Sequence, residues 1–157
     1  PYGTETMHVL RAEKGLIIVG QDTDGSVTPE DLGMQWAVGY DKPFSWIGKR
    51  ALPRPDTART DRKQLVGLKP RDPEVVLEEG AQIVFDPEQR IPMTMVGHVT
   101  SSYYSPNLGH GFALAVIKGG RDRLGQTVYL PMKDGVVHEA EIVSPVFIDP
   151  KGERQNV

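Results

Sequence analysis

Six short apolar stretches follow Lys63: KQLVGLKP, AQIVFD, MTMVGHVTSSYY, GFALAVIK, QTVYLPM and HEAEIVSPVF. Each is rich in β-branched or aromatic residues, and Gly, Pro and Asp separate them. Runs of this kind read as strands, with the separators as turns. Repeated short strands predict a small antiparallel barrel or sandwich. Closure would also protect the sheet edges, which otherwise template aggregation.

The first sixty residues read differently. Residues 4–14 predict a short helix with Met7 and Leu10 on one face, and Gly15 is placed to stop it. Leu16–Val19 reads as a β-branched-rich buried run, and Asp24-Gly25 as a turn. Thr28-Pro29-Glu30-Asp31 has the composition of a helix start: a capping hydroxyl, a proline and two acids at the positive dipole end. MQWAVGY reads as a strand, with Trp36 packed in the core. SWIGKRALP reads as a helix stopped by Pro53. The polar, proline-bearing segment PRPDTARTDR marks a boundary, dividing residues 1–61 from residues 62–157.

The 157 residues carry a formal net charge of -3, with basic and acidic residues interspersed. That balance gives no footprint for nucleic acid or for a polybasic membrane anchor. The chain has no cysteine, which removes disulfides, thiolate metal sites and a cysteine nucleophile. No apolar run approaches the roughly 20 residues that span a bilayer. The opening PYGTETMH lacks an initiator Met and is read as an internal start within a longer chain.

Searching for self-contained chemistry yields little. His8, His98, His110 and His138 form no HxxxH or HxH pair, so no metal site is expected. Gly109-x-Gly111 lacks the third glycine and the helix of a dinucleotide loop. KGGRDRLG lacks the GxxxxGK[ST] of a phosphate loop, and no GxSxG elbow is present. Ser101 and Ser102 read as strand residues. The acid pairs Asp22/Asp24 and Glu78/Glu79 read as solvated surface. Glu13 stands between a helix and an apolar run, where a carboxylate needs a partner. From the residues alone, that partner is a base such as Arg11 or Lys14.

LRAEKG, TPEDLGMQWAV, IGKRAL, RKQLVGL, GHVTSSYYSPNLGHGFALAVI and SPVFIDP occur in this order along nearly the whole chain. Together they resemble the folate-binding aminomethyltransferase, or glycine-cleavage T-protein, family. Within it, YGTETMHVLRAEKGLIIVGQDTDGSVTPEDLGM and PVFIDPKGERQ are most similar to the C-terminal region of sarcosine oxidase alpha subunits. T-proteins carry Arg-Leu-Glu-Ala-Gly where Leu10–Gly15 departs in its flanks but keeps Glu13 and Gly15.

The resemblance implies an α+β, mainly β fold. Residues 1–61 would be the C-terminal portion of a T-protein-like folate-binding domain, and residues 62–157 a small antiparallel six-stranded barrel. It implies folate contacts from Glu13, Tyr104 and Phe147, with Glu13 accepting paired N–H groups of the pterin ring. One of Tyr103 and Tyr104 would face the pocket and the other away. Lys42 is read as solvated. The family's catalytic aspartate is expected upstream of this chain, so the isolated piece is expected to be inactive. The implied parent is a cytoplasmic heterotetrameric sarcosine oxidase, with FAD, FMN and NAD held outside this region and tetrahydrofolate as one-carbon acceptor. The alternatives are a T-protein-type aminomethyltransferase and a non-catalytic folate-binding or docking module.

Overall fold

The computed structural model describes residues 1–156. Helix α1 spans Thr4–Glu13, with Glu5 in its first turn and Arg11 in its last. Each charge complements the dipole end beside it. Gly15 ends the helix at φ +72°. Its N–H donates to Ala12 O, and Leu16 N–H donates to Arg11 O. This pair of reversed bonds is the glycine-terminated helix stop expected from sequence. A side chain at Gly15 would also meet the Pro145 carbonyl at 2.7 Å.

Residues 16–62 contain turns and one 3-10 turn, Gln35–Ala37. Several sequence expectations fail here. Leu16 and Val19 are exposed, because no strand pairs with their run beyond a single bridge from Val19 to Thr23. MQWAVGY forms the 3-10 turn rather than a strand, and Trp36 is 80% exposed rather than in the core. Thr28 and Asp31 make the reciprocal cap expected at a helix start: Asp31 N–H donates to Thr28 Oγ1 and Thr28 N–H to Asp31 Oδ2. The left-handed Gly33, at φ +72°, then turns the chain before a helix can propagate. Residues 45–53 likewise make turns and not a helix. In α1 the buried positions are Arg11, Ala12 and Glu13, while Met7 and Leu10 face outward.

The six expected strands all form. They are β1 Lys63–Pro70, β2 Gln82–Ile83, β3 Gly97–Ser105, β4 His110–Lys118, β5 Thr127–Pro131 and β6 Val137–Val143. They make one antiparallel sheet in the order β2-β3-β4-β1-β6-β5. The sheet is not closed by a continuous ladder. One bridge joins its ends, where Val84 and Tyr129 exchange two backbone hydrogen bonds. Residues 144–147, expected to continue the last strand, leave the sheet instead.

Curling divides the sheet's apolar side chains into two sets. Val66, Leu68, Val99, Ala113, Ala115, Ile117, Val128, Leu130, Ala140 and Ile142 fill the interior. Leu65, Phe112, Leu114 and Val116 face outward from β1 and β4, where Ala12, Val9, Ile17 and Leu32 cover them. Strands β1 and β4 are therefore buried on both faces, which explains their nearly continuous apolar sequences. The helix and loops of the first half pack against this outer face.

Candidate functional site

The segment carrying the quoted motifs meets the outer sheet face along β3. Between Val99 and Ser101 the register of β3 on β4 slips, leaving Thr100 as an extra residue. Val99 still points into the interior. The bulge turns two successive hydroxyls to one side, and both Thr100 Oγ1 and Ser101 Oγ donate to Asp22 Oδ1 at 2.6 Å. Asp22 Oδ2 accepts from Ile18 N–H at 2.9 Å and pairs with Arg11. Arg11 also donates to Ser101 Oγ at 2.7 Å, to Tyr103 Oη at 3.2 Å and to the Leu16 carbonyl.

Asp22 is 1% exposed, so reading it as a solvated acid is corrected. Its burial is sustainable because every lone-pair direction meets a donor. Arg11 Nε is the one guanidinium nitrogen left buried without a partner.

Glu13 is also buried, at 3% exposure. Its carboxylate accepts from Ser105 Oγ and from Asn107 Nδ2, the latter at 3.2 Å to both oxygens. Among the described residues no base pairs with it. Arg11 is committed to Asp22, and Lys14 to Asp149. The expected ion pair to Arg11 or Lys14 is thus replaced by two neutral donors from the β3–β4 connection. The Glu13 carbonyl accepts from Phe147 N–H at 2.9 Å and Ile148 N–H at 3.0 Å. One residue therefore fastens the end of α1 to the β3–β4 turn through its side chain and to the C-terminal segment through its backbone.

Phe147 stacks edge-on against Phe112, with ring centroids 4.9 Å apart. Gly67 makes room for it: a methyl there would come within 2.7 Å of the Phe147 ring and 2.5 Å of the Ser144 carbonyl. The structure thus brings Glu13 and Phe147 together. Tyr104 stands apart, 40% exposed, because alternation along β3 puts Ser101, Tyr103 and Ser105 on the α1 side. Tyr103 is the tyrosine that meets the first half. It lies near His8 and Phe112, and its hydroxyl accepts from Arg11 and Gln21.

Sequence reasoning missed Asp22, Ser105 and Asn107. The alternation of Ser101, Tyr103 and Ser105 was a signal that one face of this strand carries hydroxyls. Of these, Ser101 meets Asp22, as does Thr100 beside it; that acid lies 79 positions before Ser101, a separation no local pattern reports.

Two cavities flank this joint. One, of about 330 Å³, is lined by charged residues including Asp24, Arg62, Lys63, His98 and Lys118. The second, of about 480 Å³, is mostly apolar, lined by Leu16, Met34, Trp36, Leu65 and Val146 and by Arg121. Neither is lined by Glu13, Tyr104 or Phe147.

Burial, and secondarily Lys63, disfavours the charged form of His98 and lowers its pKa below 6.5, against an opposing pull from Asp24. A histidine that takes up its proton less readily folded than unfolded stabilises the fold above the unfolded pKa, and the contribution is lost as pH falls. Stability against urea is expected to fall between pH 7.5 and pH 5.5 in the wild-type chain, and less steeply in His98→Gln. Equal slopes in the two would remove His98 from the account.

Among the described residues no His, Asp or Glu cluster is able to hold a metal ion, and no helix is long and apolar enough to cross a membrane.

Comparison with known proteins agrees with this architecture. Residues 63–149 match the glycine cleavage T-protein C-terminal barrel domain, and residues 1–42 match the GCVT N-terminal domain. The chain is 51% identical over 99% of its length to the sarcosine oxidase subunit alpha of Corynebacterium sp. (strain P-1), of which it spans 16%. It is 31% identical over 94% of its length to an aminomethyltransferase of Prochlorococcus marinus, spanning 37% of that protein. The crystal structure of the glycine cleavage system aminomethyltransferase T from Bartonella henselae superposes over 90% of the chain and 37% of its own, with a TM-score of 0.74 at 24% identity, which speaks to fold. The outer face covered by α1, the interior filled by six curled strands and the matched residues converge, and the chain belongs to the glycine cleavage T-protein family.

Proposed function

We propose that this chain forms part of the folate end of a sarcosine oxidase alpha subunit. The observation that carries this reading is the 51% identity over 99% of the chain, set against 31% for an aminomethyltransferase. In this reading the parent complex oxidatively demethylates sarcosine to glycine and passes the one-carbon unit to tetrahydrofolate, giving 5,10-methylenetetrahydrofolate. The parent is a cytoplasmic heterotetramer, and FAD, FMN and NAD are bound outside this region. Residues 1–61 belong to the folate-binding domain and residues 62–157 to the barrel.

The described residues do not by themselves make a pterin pocket. Both Glu13 oxygens are engaged, Phe147 is packed on Phe112, and Tyr104 lies on the other face of its strand. Paired hydrogen bonding of both Glu13 oxygens to pterin requires that Ser105 or Asn107 release Oε1, which accepts from both. The geometry therefore favours a positioning role for Glu13, which fixes the wall formed by α1, the β3–β4 turn and residues 145–148. No step of the reaction is assigned to this chain.

Glu13→Gln in the complete parent tests both forms of the reading. An amide turns its N–H₂ toward the donors of Asn107 or Ser105, so destabilisation of about 1–3 kcal/mol is expected. Folate affinity is expected to fall while sarcosine oxidation changes little. Unchanged folate affinity in a folded Glu13→Gln parent would reject any role of Glu13 at the folate site. Asn107→Ala separates the two forms: it lowers folate affinity if Glu13 acts by positioning, and leaves it unchanged or raised if Glu13 pairs pterin directly.

A further inference from the structure

Beyond the apolar patch on the outer sheet face lie three basic side chains that the folate reading does not use. Lys63 on β1 and Lys118 on β4 are direct cross-strand partners, so both leave the same face of the sheet. His98 on β3 pairs with Val116, whose side chain belongs to the outer-face cluster. It therefore stands on that face as well. Like charges directly opposite one another destabilise an antiparallel pair, and Asp24 and Asp61 offset this one only from beyond ion-pair distance. Among the described residues, neither lysine takes part in an ion pair.

The acids around them have other first partners, although Asp61 remains close enough to Lys118 for the lysine to help lower its pKa after Arg59. Asp31 holds Arg62, Asp61 holds Arg59 and Asp22 holds Arg11. Asp24 accepts from the N–H and hydroxyl of Ser26 at 2.7 and 2.6 Å. It remains near enough to Lys63 and His98 for both to help lower its pKa, after Ser26. The cavity of about 330 Å³ that the two lysines and His98 line is bounded also by the loop bearing Thr23 and Ser26, by Arg59 and Arg62, and by the acids Asp22, Asp24, Asp31 and Asp61.

We propose that this cavity is an oxyanion site that takes a phosphate group, either inorganic phosphate or the phosphate of a small organic ester. Two cross-strand lysines lining one cavity match an anion carrying nearly two charges better than a carboxylate carrying one. A phosphate also offers several acceptor oxygens to Lys63, Lys118 and one ring N–H of His98. Binding removes the like-charge conflict that the sheet register creates.

The test is a titration of inorganic phosphate into the 157-residue chain at constant low ionic strength, followed by NMR. The His98 ring resonances and the Lys63 and Lys118 amides are expected to shift saturably. Lys63→Met and Lys118→Met are each expected to weaken the effect roughly tenfold. Each variant is also expected to melt no lower than wild type without phosphate, because it removes the repulsion, and to lose the rise in Tm that phosphate gives wild type. Tighter binding of glycerol 3-phosphate than of inorganic phosphate assigns the site to an ester, and equal or weaker binding assigns it to free phosphate. Non-saturating shifts, or saturable shifts that persist unchanged in both variants, mean an adventitious ion only and overturn the proposal.

Discussion

Asp22→Ala is expected to destabilise the chain by about 3–5 kcal/mol, the usual consequence of leaving one member of a buried ion pair alone. Arg11 would keep its charge at the interface between the first half and the sheet, with Ser101 and Tyr103 as its remaining side-chain partners. Thr100 and Ser101 would also lose their shared acceptor. Urea denaturation followed by circular dichroism measures the loss. Asp22→Asn retains an oxygen for the two hydroxyls and should cost less than Asp22→Ala. The double variant Arg11→Met/Asp22→Ala is expected to be more stable than the two single effects summed, since no lone charge is left buried. An Asp22→Ala effect below about 1 kcal/mol would place this pair among solvated surface ion pairs, contrary to its burial.

The second large effect is expected from Gly67→Ala. The added methyl lies 2.5 Å from the Ser144 carbonyl and 2.7 Å from the Phe147 ring. A ring can rotate away, but a backbone carbonyl just past the end of β6 moves only with the segment that carries it. Overpacking of this kind costs about 2–3 kcal/mol. It should also lift residues 145–148 from the end of α1, because Phe147 and Ile148 donate to the Glu13 carbonyl. The measurable signs are a lower unfolding midpoint and loss of the ring-current shifts between Phe147 and Phe112. A variant that keeps those shifts and its stability would show that the C-terminal segment does not depend on the gap at Gly67.

Both experiments probe the same joint. α1 brings Arg11 and Glu13 to β3 two residues apart in sequence. Arg11 is held at the bulge end by Asp22 and Ser101, and Glu13 at the turn end by Ser105 and Asn107. The helix is thus fixed at two points along one strand face, and the C-terminal segment closes over its end. Any ligand pocket that borrows this wall depends on both attachments.

The six strands were legible because their determinants are local. Alternating β-branched and aromatic residues bounded by Gly, Pro and Asp specify a strand wherever the chain goes next, and α1 ended at Gly15 because a left-handed residue stops a helix regardless of context. The first half was less legible. In MQWAVGY and Leu16–Val19 the apolar pattern promised burial, but the described residues supply no partner strand, and Trp36 and Val19 face outward.

The site divides the same way. Sequence singled out Glu13 as an acid in need of a partner, and its neighbours Arg11 and Lys14 as nearby bases. Tertiary structure alone sent those bases to Asp22 and Asp149 and gave Glu13 to Ser105 and Asn107, about ninety residues away. It alone determined that Tyr103 and not Tyr104 meets the helix, because the bulge at Thr100 resets which residues of β3 face outward. Local propensity is written in short-range pattern, whereas the choice among competing charged partners depends on which surfaces the folded sheet brings within hydrogen-bonding distance.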